Sequence, residues 1–241
     1  MKKIFYRRER YEQTNEDPFS ISISDLMTGL LIIFILTLSY YMLNFSQKTL
    51  ELAENTIKKA EILKSIQDEL EKQGIRVEVD LEHGILHLPE GILFDSGEAR
   101  LKKDGINLLK KLGPILYKVL LCPEFNGSVE TIFIEGHTDN VPIHNSKFNS
   151  NWELSTQRAI NTWLALLEIT PQLEKLKNAN QEPIFSCSGY GDTRPIASNE
   201  IPEGRRQNRR IDFRFSMTTP TIEENSLIKK IKEKLKKLQR K

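Results

Sequence analysis

The sequence predicts an α/β (α+β) domain, helices layered on one mixed sheet, preceded by a single transmembrane helix and a helical spacer. Three observations carry this. Leu26–Leu43 is an apolar run with no charged residue. Residues 46–73 repeat apolar side chains at spacings of three and four. From residue 75 onward, strand patterns alternate with helix patterns, the signature of strands and helices packed in layers.

The run Leu26–Leu43 corresponds to ~27 Å of α-helix, close to the thickness of a bilayer's hydrocarbon. It ends in Tyr40, Tyr41 and Phe45, which suit a membrane interface, and it has no small-residue cleavage pattern, so it reads as a retained anchor rather than a signal peptide. Lys2, Lys3, Arg7, Arg8 and Arg10 precede it, whereas Lys48 is followed by Glu51 and Glu54. The positive-inside rule therefore puts residues 1–20 in the cytoplasm as a short tail, the span at 21–45, and everything beyond on the outer side of a bacterial inner membrane.

Asp25 stands at the start of the apolar run. A carboxylate at membrane depth costs a few kcal/mol and is kept when it is paired, protonated or used. Its competing reading is a cap or interfacial residue at the helix edge; the ion-relay reading is the sharper one.

In the segment 46–74, Leu50, Ala53, Ile57, Ala60, Leu63, Ile66 and Leu70 form the apolar stripe. It is expected to pair two copies of the chain in a parallel coil, making a homodimer; packing on the chain's own domain is the alternative. Within 75–217 the expected elements are a hairpin of Val77–Asp80 and Ile85–Leu88, then a helix opened by a capping box at Asp95 and Glu98. Strand Val129–Glu135, a helix over Leu154–Leu167, and strands Ile184–Gly189 and Ile211–Phe215 follow. Gly113-Pro114 should break or kink the first of these helices. Residues 218–241 read as a basic amphipathic helix.

Composition narrows the function. Lys and Arg total 35 against 33 Asp and Glu, which gives no charge case for a nucleic-acid partner. Cys122 and Cys187 both fall on the outer, oxidising side, where a disulfide between them is permitted and two free thiols are the equal alternative. No metal site and no cofactor are expected. His137, Asp139 and Ser155 offer no nucleophile elbow or triad order, so catalysis is not expected.

Four blocks bear on the site: Leu93-Phe-Asp-Ser-Gly-Glu-Ala99, Ile134-Glu-Gly-His-Thr-Asp139, Ser150-Asn-Trp-Glu-Leu-Ser-Thr-Gln-Arg-Ala159, and Gly189-Tyr-Gly-Asp with Gly204-Arg-Arg-Gln-Asn-Arg-Arg-Ile211. In that order they resemble the OmpA-like peptidoglycan-binding domain over residues 75–217. With Ser24-Asp-Leu-Met-Thr-Gly29 in the span, the chain resembles the B subunits of flagellar-type stators (MotB-like).

That resemblance implies a ligand, the diaminopimelate tip of a peptidoglycan stem peptide, which carries an ammonium and a carboxylate on one carbon. Asp139 would take the ammonium and Arg158 the carboxylate, the latter ideally as a fork. Asn151 matches a further polar contact, and Arg209 is a weaker candidate. The segment Val141-Pro-Ile-His144 departs from the family pattern. The resemblance also implies a multi-span A subunit (MotA- or ZorA-like) as partner, with Asp25 relaying protons against it. The compact spacer is similar to ZorB of the Zorya anti-phage defence system; a flagellar stator and a passive wall tether are the alternatives.

Overall fold

The computed structural model describes residues 18–218, so the tail before residue 18 and all but the first residue of the helix expected at 218–241 lie outside the described residues. The chain divides at Thr49/Leu50 into two units. Helix α1, Pro18–Lys72, runs through the division.

In the first unit, α1 carries a segment long and apolar enough to cross a membrane. Its large side chains from Leu26 to Phe45 are exposed in the isolated chain, a surface for lipid or for other helices. Thr28 and Thr37 donate their hydroxyls to the carbonyls of Ser24 and Ile33 at 2.7 Å, so neither hydroxyl demands an outside partner.

The second unit is built on five strands: β1 (Glu78–Asp80), β2 (Ile85–Pro89), β3 (Val129–His137), β4 (Phe185–Gly189) and β5 (Arg210–Met217). Their order is β1-β2-β5-β3-β4; β3 and β4 are parallel and the other neighbours antiparallel. Four further helices connect them: α2 (Glu90–Leu93), α3 (Lys103–Leu120), α4 (Asn151–Ile169) and α5 (Pro202–Asn208).

Period-two alternation sorts each central strand into two faces. Leu86 and Leu88 of β2, Ile132 and Ile134 of β3, and Ile211, Phe213 and Phe215 of β5 enter one apolar core. The amphipathic face of α3, Leu108, Leu109, Leu112, Ile115, Leu116 and Val119, closes over it.

The coil expectation is corrected in its C-terminal part. Ile62, Leu63, Ile66 and Leu70 are fully buried in the domain's own core, while Leu50, Leu52 and Ile57 remain exposed. Burying a large aliphatic side chain gains ~1.5–3 kcal/mol, so four of them commit this stretch to the domain rather than to a second copy. The compact unit takes in this helix from Leu50 onward.

A further correction concerns α3. It starts at Lys103, after an N-cap at Lys102 that makes no side-chain cap bond; Asp95 and Glu98 instead close a turn, Glu98 N donating to Asp95 O. Past Gly113-Pro114 the helix runs on to Leu120, as the continued period of Ile115, Leu116, Val119 and Leu120 implies. A Cβ at Gly113 would collide with the Thr170 hydroxyl, so the glycine lets α3 lie close to the end of α4.

The glycines that place the site are Gly136 and Gly189. They face each other across β3 and β4. A Cβ on Gly136 would land on the Ser155 carbonyl, and one on Gly189 on the Thr156 amide. The first turns of α4 therefore rest directly on the C-terminal ends of the two parallel strands. The helix is capped by Ser150, whose hydroxyl accepts from Glu153 N at 3.3 Å, as N-cap serines do.

Candidate functional site

The loop after β3 delivers Asp139, α4 delivers Asn151 and Arg158, and the end of α5 delivers Arg209. Tertiary structure brings all four together, but Asp139 and Arg158 do not pair. Arg209 Nη1 lies 2.6 Å from Asp139 Oδ2, and Arg209 Nε lies 3.1 Å from Glu90 Oε2. Glu90 Oε1 is 2.5 Å from Arg158 Nη2. The charges thus alternate along one chain, Arg158, Glu90, Arg209, Asp139, and sum to zero.

Arg158 is the deepest member, 2 % exposed. Its Nε donates to Glu98 O at 2.8 Å and its Nη2 to Asp95 O at 3.3 Å, and the guanidinium lies over the Phe94 ring. Burial lowers its pKa, and the charge of Glu90 opposes that loss. Glu90 shows the mirror effect: burial raises its carboxyl above the ordinary range, against the pull of Arg158 and Arg209. Both shifts are the expected cost of taking charges out of water.

The sequence did not point to Glu90. It follows Pro89 and precedes Gly91, a context that reads as a turn, and no periodicity marks its carboxylate. What holds it is the strand pairing: Pro89 lies opposite Arg210, and Glu90 N donates to Arg209 O at 3.1 Å.

Asn151 has a different task from a free contact. Its Nδ2 donates to the carbonyls of Asp139 and Val141, and its Oδ1 accepts from Ile143 N. It staples the loop 139–143 to the start of α4. The same loop is fastened elsewhere: Val141 N donates to Asp139 Oδ1 at 3.1 Å, Thr138 N to Gly191 O, and Lys147 Nζ reaches both Glu98 oxygens at 2.8 Å. Arg209, ranked weakest from sequence, is the most exposed of the charged members, with 36 % of its side chain open.

A second polar cluster lies on the other sheet face. Glu135, His137 and Asp212 approach one another within 4.8 Å. Arg214 Nε is 2.9 Å from Glu135 Oε1, Arg210 Nε 2.9 Å from Asp212 Oδ2, and His87 Nδ1 2.6 Å from Asp212 Oδ1. The carboxylates are already neutralised by guanidinium groups, so the cluster is an ion-pair network in charge balance rather than a donor set awaiting a cation.

Cys122 and Cys187 are both free, one of the two arrangements the sequence left open. Cys187 turns toward α4, its thiol 3.7 Å from Ala159 O, while Cys122 sits just past the end of α3. Burial pushes the Cys187 thiol up to about 11. Ser155 is fully buried, donating to Trp152 O and accepting from Gly191 N, so its hydroxyl is structural.

The OmpA family matches residues 93–209, the stretch that holds Asp139, Asn151, Arg158 and Arg209. The sequence is similar to that of motility protein B from more than one bacterium. It is 36% identical over 154 residues to motility protein B of Bacillus subtilis (strain 168), covering 64% of this chain and 53% of that one. The match therefore spans about half of that relative's length. To the Zorya protein ZorB of Escherichia coli O139:H28 it is 23% identical over 216 residues, covering 86% of this chain and 84% of that one. A crystal structure of a MotB-like protein from Desulfovibrio vulgaris shares the fold, with a TM-score of 0.56 at 22% identity, covering 69% of this chain and 98% of that one.

Proposed function

We propose that this chain is the peptidoglycan-anchored B subunit of an ion-driven inner-membrane stator. The observation that carries the reading is the alternating array Arg158–Glu90–Arg209–Asp139, whose outer end offers one anion and one cation side by side. A diaminopimelate stem peptide presents the complementary ammonium and carboxylate on one carbon. Asp139 binds the ammonium and Arg209 supplies the carboxylate contact, with Arg158 buried behind Glu90 and Asn151 holding the loop in place.

At the other end of the chain, Asp25 is the sole acidic residue between Phe19 and Phe45. In this reading α1 spans the membrane once, N-terminus inside, and two copies pair with a multi-span A subunit. Asp25 gains and loses a proton in each cycle. One charge moving through 100 mV supplies about 2.3 kcal/mol, enough to bias a packed two-state rotation. The similarity to a motility protein B supports a motility role.

A second reading, an anti-phage motor subunit, is favoured by layout. The helix continues unbroken from Pro18 to Lys72, and the match to ZorB extends over most of both chains. Deleting the gene and scoring swimming against phage plating separates the two.

The central test is Asp25→Asn beside Asp139→Asn in cells. A motor subunit with Asp25→Asn assembles and still binds isolated sacculi but loses all driven activity. Asp139→Asn loses sacculus binding. Full activity with Asn at residue 25 would leave only a wall tether.

A further inference from the structure

We propose that Glu90 is a positioning residue for ligand capture: it holds Arg209 by its Nε edge, so that the guanidinium stays presented when Asp139 exchanges it for the ligand's ammonium. The proposal deepens, and rests on, the peptidoglycan reading above.

Arg209 bridges two carboxylates, Asp139 through Nη1 and Glu90 through Nε. The internal Asp139–Arg209 pair occupies the two groups that a zwitterionic ligand must reach. Binding is therefore an exchange: the ligand ammonium takes Asp139, and the ligand carboxylate takes the Nη end of Arg209. Once Asp139 lets go, a long side chain that is 36 % exposed has every entropic reason to move into solvent. Only Glu90 then restrains it.

Glu90 is built for that restraint. It is 5 % exposed. Its backbone N–H is tied to the Arg209 carbonyl, so carboxylate and guanidinium move as one piece. Its Oε1 is anchored on Arg158, and Arg158 is itself fixed by Glu98 O and Asp95 O. Glu90 Oε2 is buried and lacks an aligned hydrogen bond, although Arg209 Nε stands 3.1 Å away. The contact is thus an ion pair with reserve: a modest turn of Arg209 toward Glu90 completes a hydrogen bond as the bond to Asp139 is given up. Without Glu90, Arg158 and Arg209 would face each other as like charges, and the exposed one would swing away.

The test uses the full-length chain in detergent, with affinity for a soluble diaminopimelate stem tripeptide measured by calorimetry and thermal unfolding recorded beside it. Glu90→Gln, close to isosteric, is expected to weaken Kd by about tenfold or more, the scale of losing one charged hydrogen-bond partner. Glu90→Asp, which keeps the charge on a shorter arm, should fall between. In an Arg209→Ala background, Glu90→Gln should cost no further affinity. A merely structural Glu90 would lower the melting temperature and the bound stoichiometry, leave Kd of the folded fraction at the wild-type value, and add to Arg209→Ala; that result overturns the proposal. If Glu90→Gln does not fold, Glu90→Asp decides: a wild-type Kd overturns it and an intermediate one supports it. Loss of binding in Asp139→Asn with wild-type binding in Glu90→Gln sinks this inference alone. Failure of the wild-type chain to bind the tripeptide sinks the peptidoglycan reading and this inference with it.

Discussion

Arg209 and Asp139 form a 2.6 Å ion pair across a sequence separation of 70 residues, and behind them Glu90 links Arg209 to the buried Arg158. Arg209 is the most open of the four side chains and Arg158 the deepest. Their energetic consequences differ accordingly.

Arg158→Ala removes the partner of a buried carboxylate and leaves the Glu98 and Asp95 carbonyls without their donor. Breaking a buried ion pair from one side costs ~3–5 kcal/mol. A urea titration of the full-length chain should show the second unit's midpoint fall by a matching amount. Arg158→Lys should recover little of it, because an ammonium cannot reproduce the fork that meets three acceptors.

Gly136→Ala and Gly189→Ala each force a methyl into the backbone or side chains at Ser155 and Thr156. Overpacking of this kind costs ~1–3 kcal/mol, and because backbone must yield, the upper end is expected. The first turns of α4 would lift from the sheet and carry Asn151 and Arg158 with them. Both variants should lose stability in denaturant melts and lose ligand affinity together, whereas alanine at the open position Gly91 should affect neither.

The ion-pair network on the second sheet face sets an acid limit. Burial alone would raise the Asp212 carboxyl, but the His137 imidazole 3.2 Å away, the hydrogen-bonded His87 and the charge of Arg210 outweigh it and hold the group well below the usual carboxylate range. In the window below the ordinary Asp pKa the unfolded chain therefore takes up the proton first. The stabilisation is fully present above that value and is lost as pH falls toward the folded one, on the order of 2 kcal/mol in all. Glu90, whose carboxyl is raised by burial, acts with the opposite sign, favouring the folded state as pH falls from its raised value toward the ordinary one. Unfolding free energies measured from pH 6 to pH 2 should show the wild-type loss, and Asp212→Asn should flatten it.

With its pKa at about 11, the Cys187 thiol is almost wholly protonated at neutral pH and a poor nucleophile. Native protein at pH 7.5 should leave Cys187 unlabelled by a maleimide over the time in which a denatured control reacts fully. Thiol titration after denaturation should count both cysteines, and the double Cys→Ser variant should melt close to wild type.

Much of this was readable from the chain. Alternation at Val129–Glu135 and the three-and-four spacing through α3 mark strand and helix because their periods are local properties. The hairpin at Glu82-His-Gly84 is equally local, and Gly84 there does adopt a positive φ of 78°. In its C-terminal part the stripe took the alternative to a coil, for an instructive reason: an apolar stripe shows that a helix must be covered but not by what, and Ile62, Leu63, Ile66 and Leu70 found their cover in the domain's own core. Asp139, Arg158, Asn151 and Arg209 were legible through the blocks that contain them, yet their division of labour was not. Asn151 proved to be a staple and Arg158 a buried anchor.

What the amino-acid order determined by itself is the membrane-length apolar run with Asp25 at its edge and the mixed α/β layering, since periodicity and composition act within a few residues of each other. What tertiary structure alone decided is which charge meets which. Glu90 enters the site because β2 pairs with β5 in one register, and Arg158 sinks beneath it because two glycines let α4 settle on β3 and β4. Ion pairs are made by distance in space, and distance in space is set by sheet register and close packing, which no local pattern encodes.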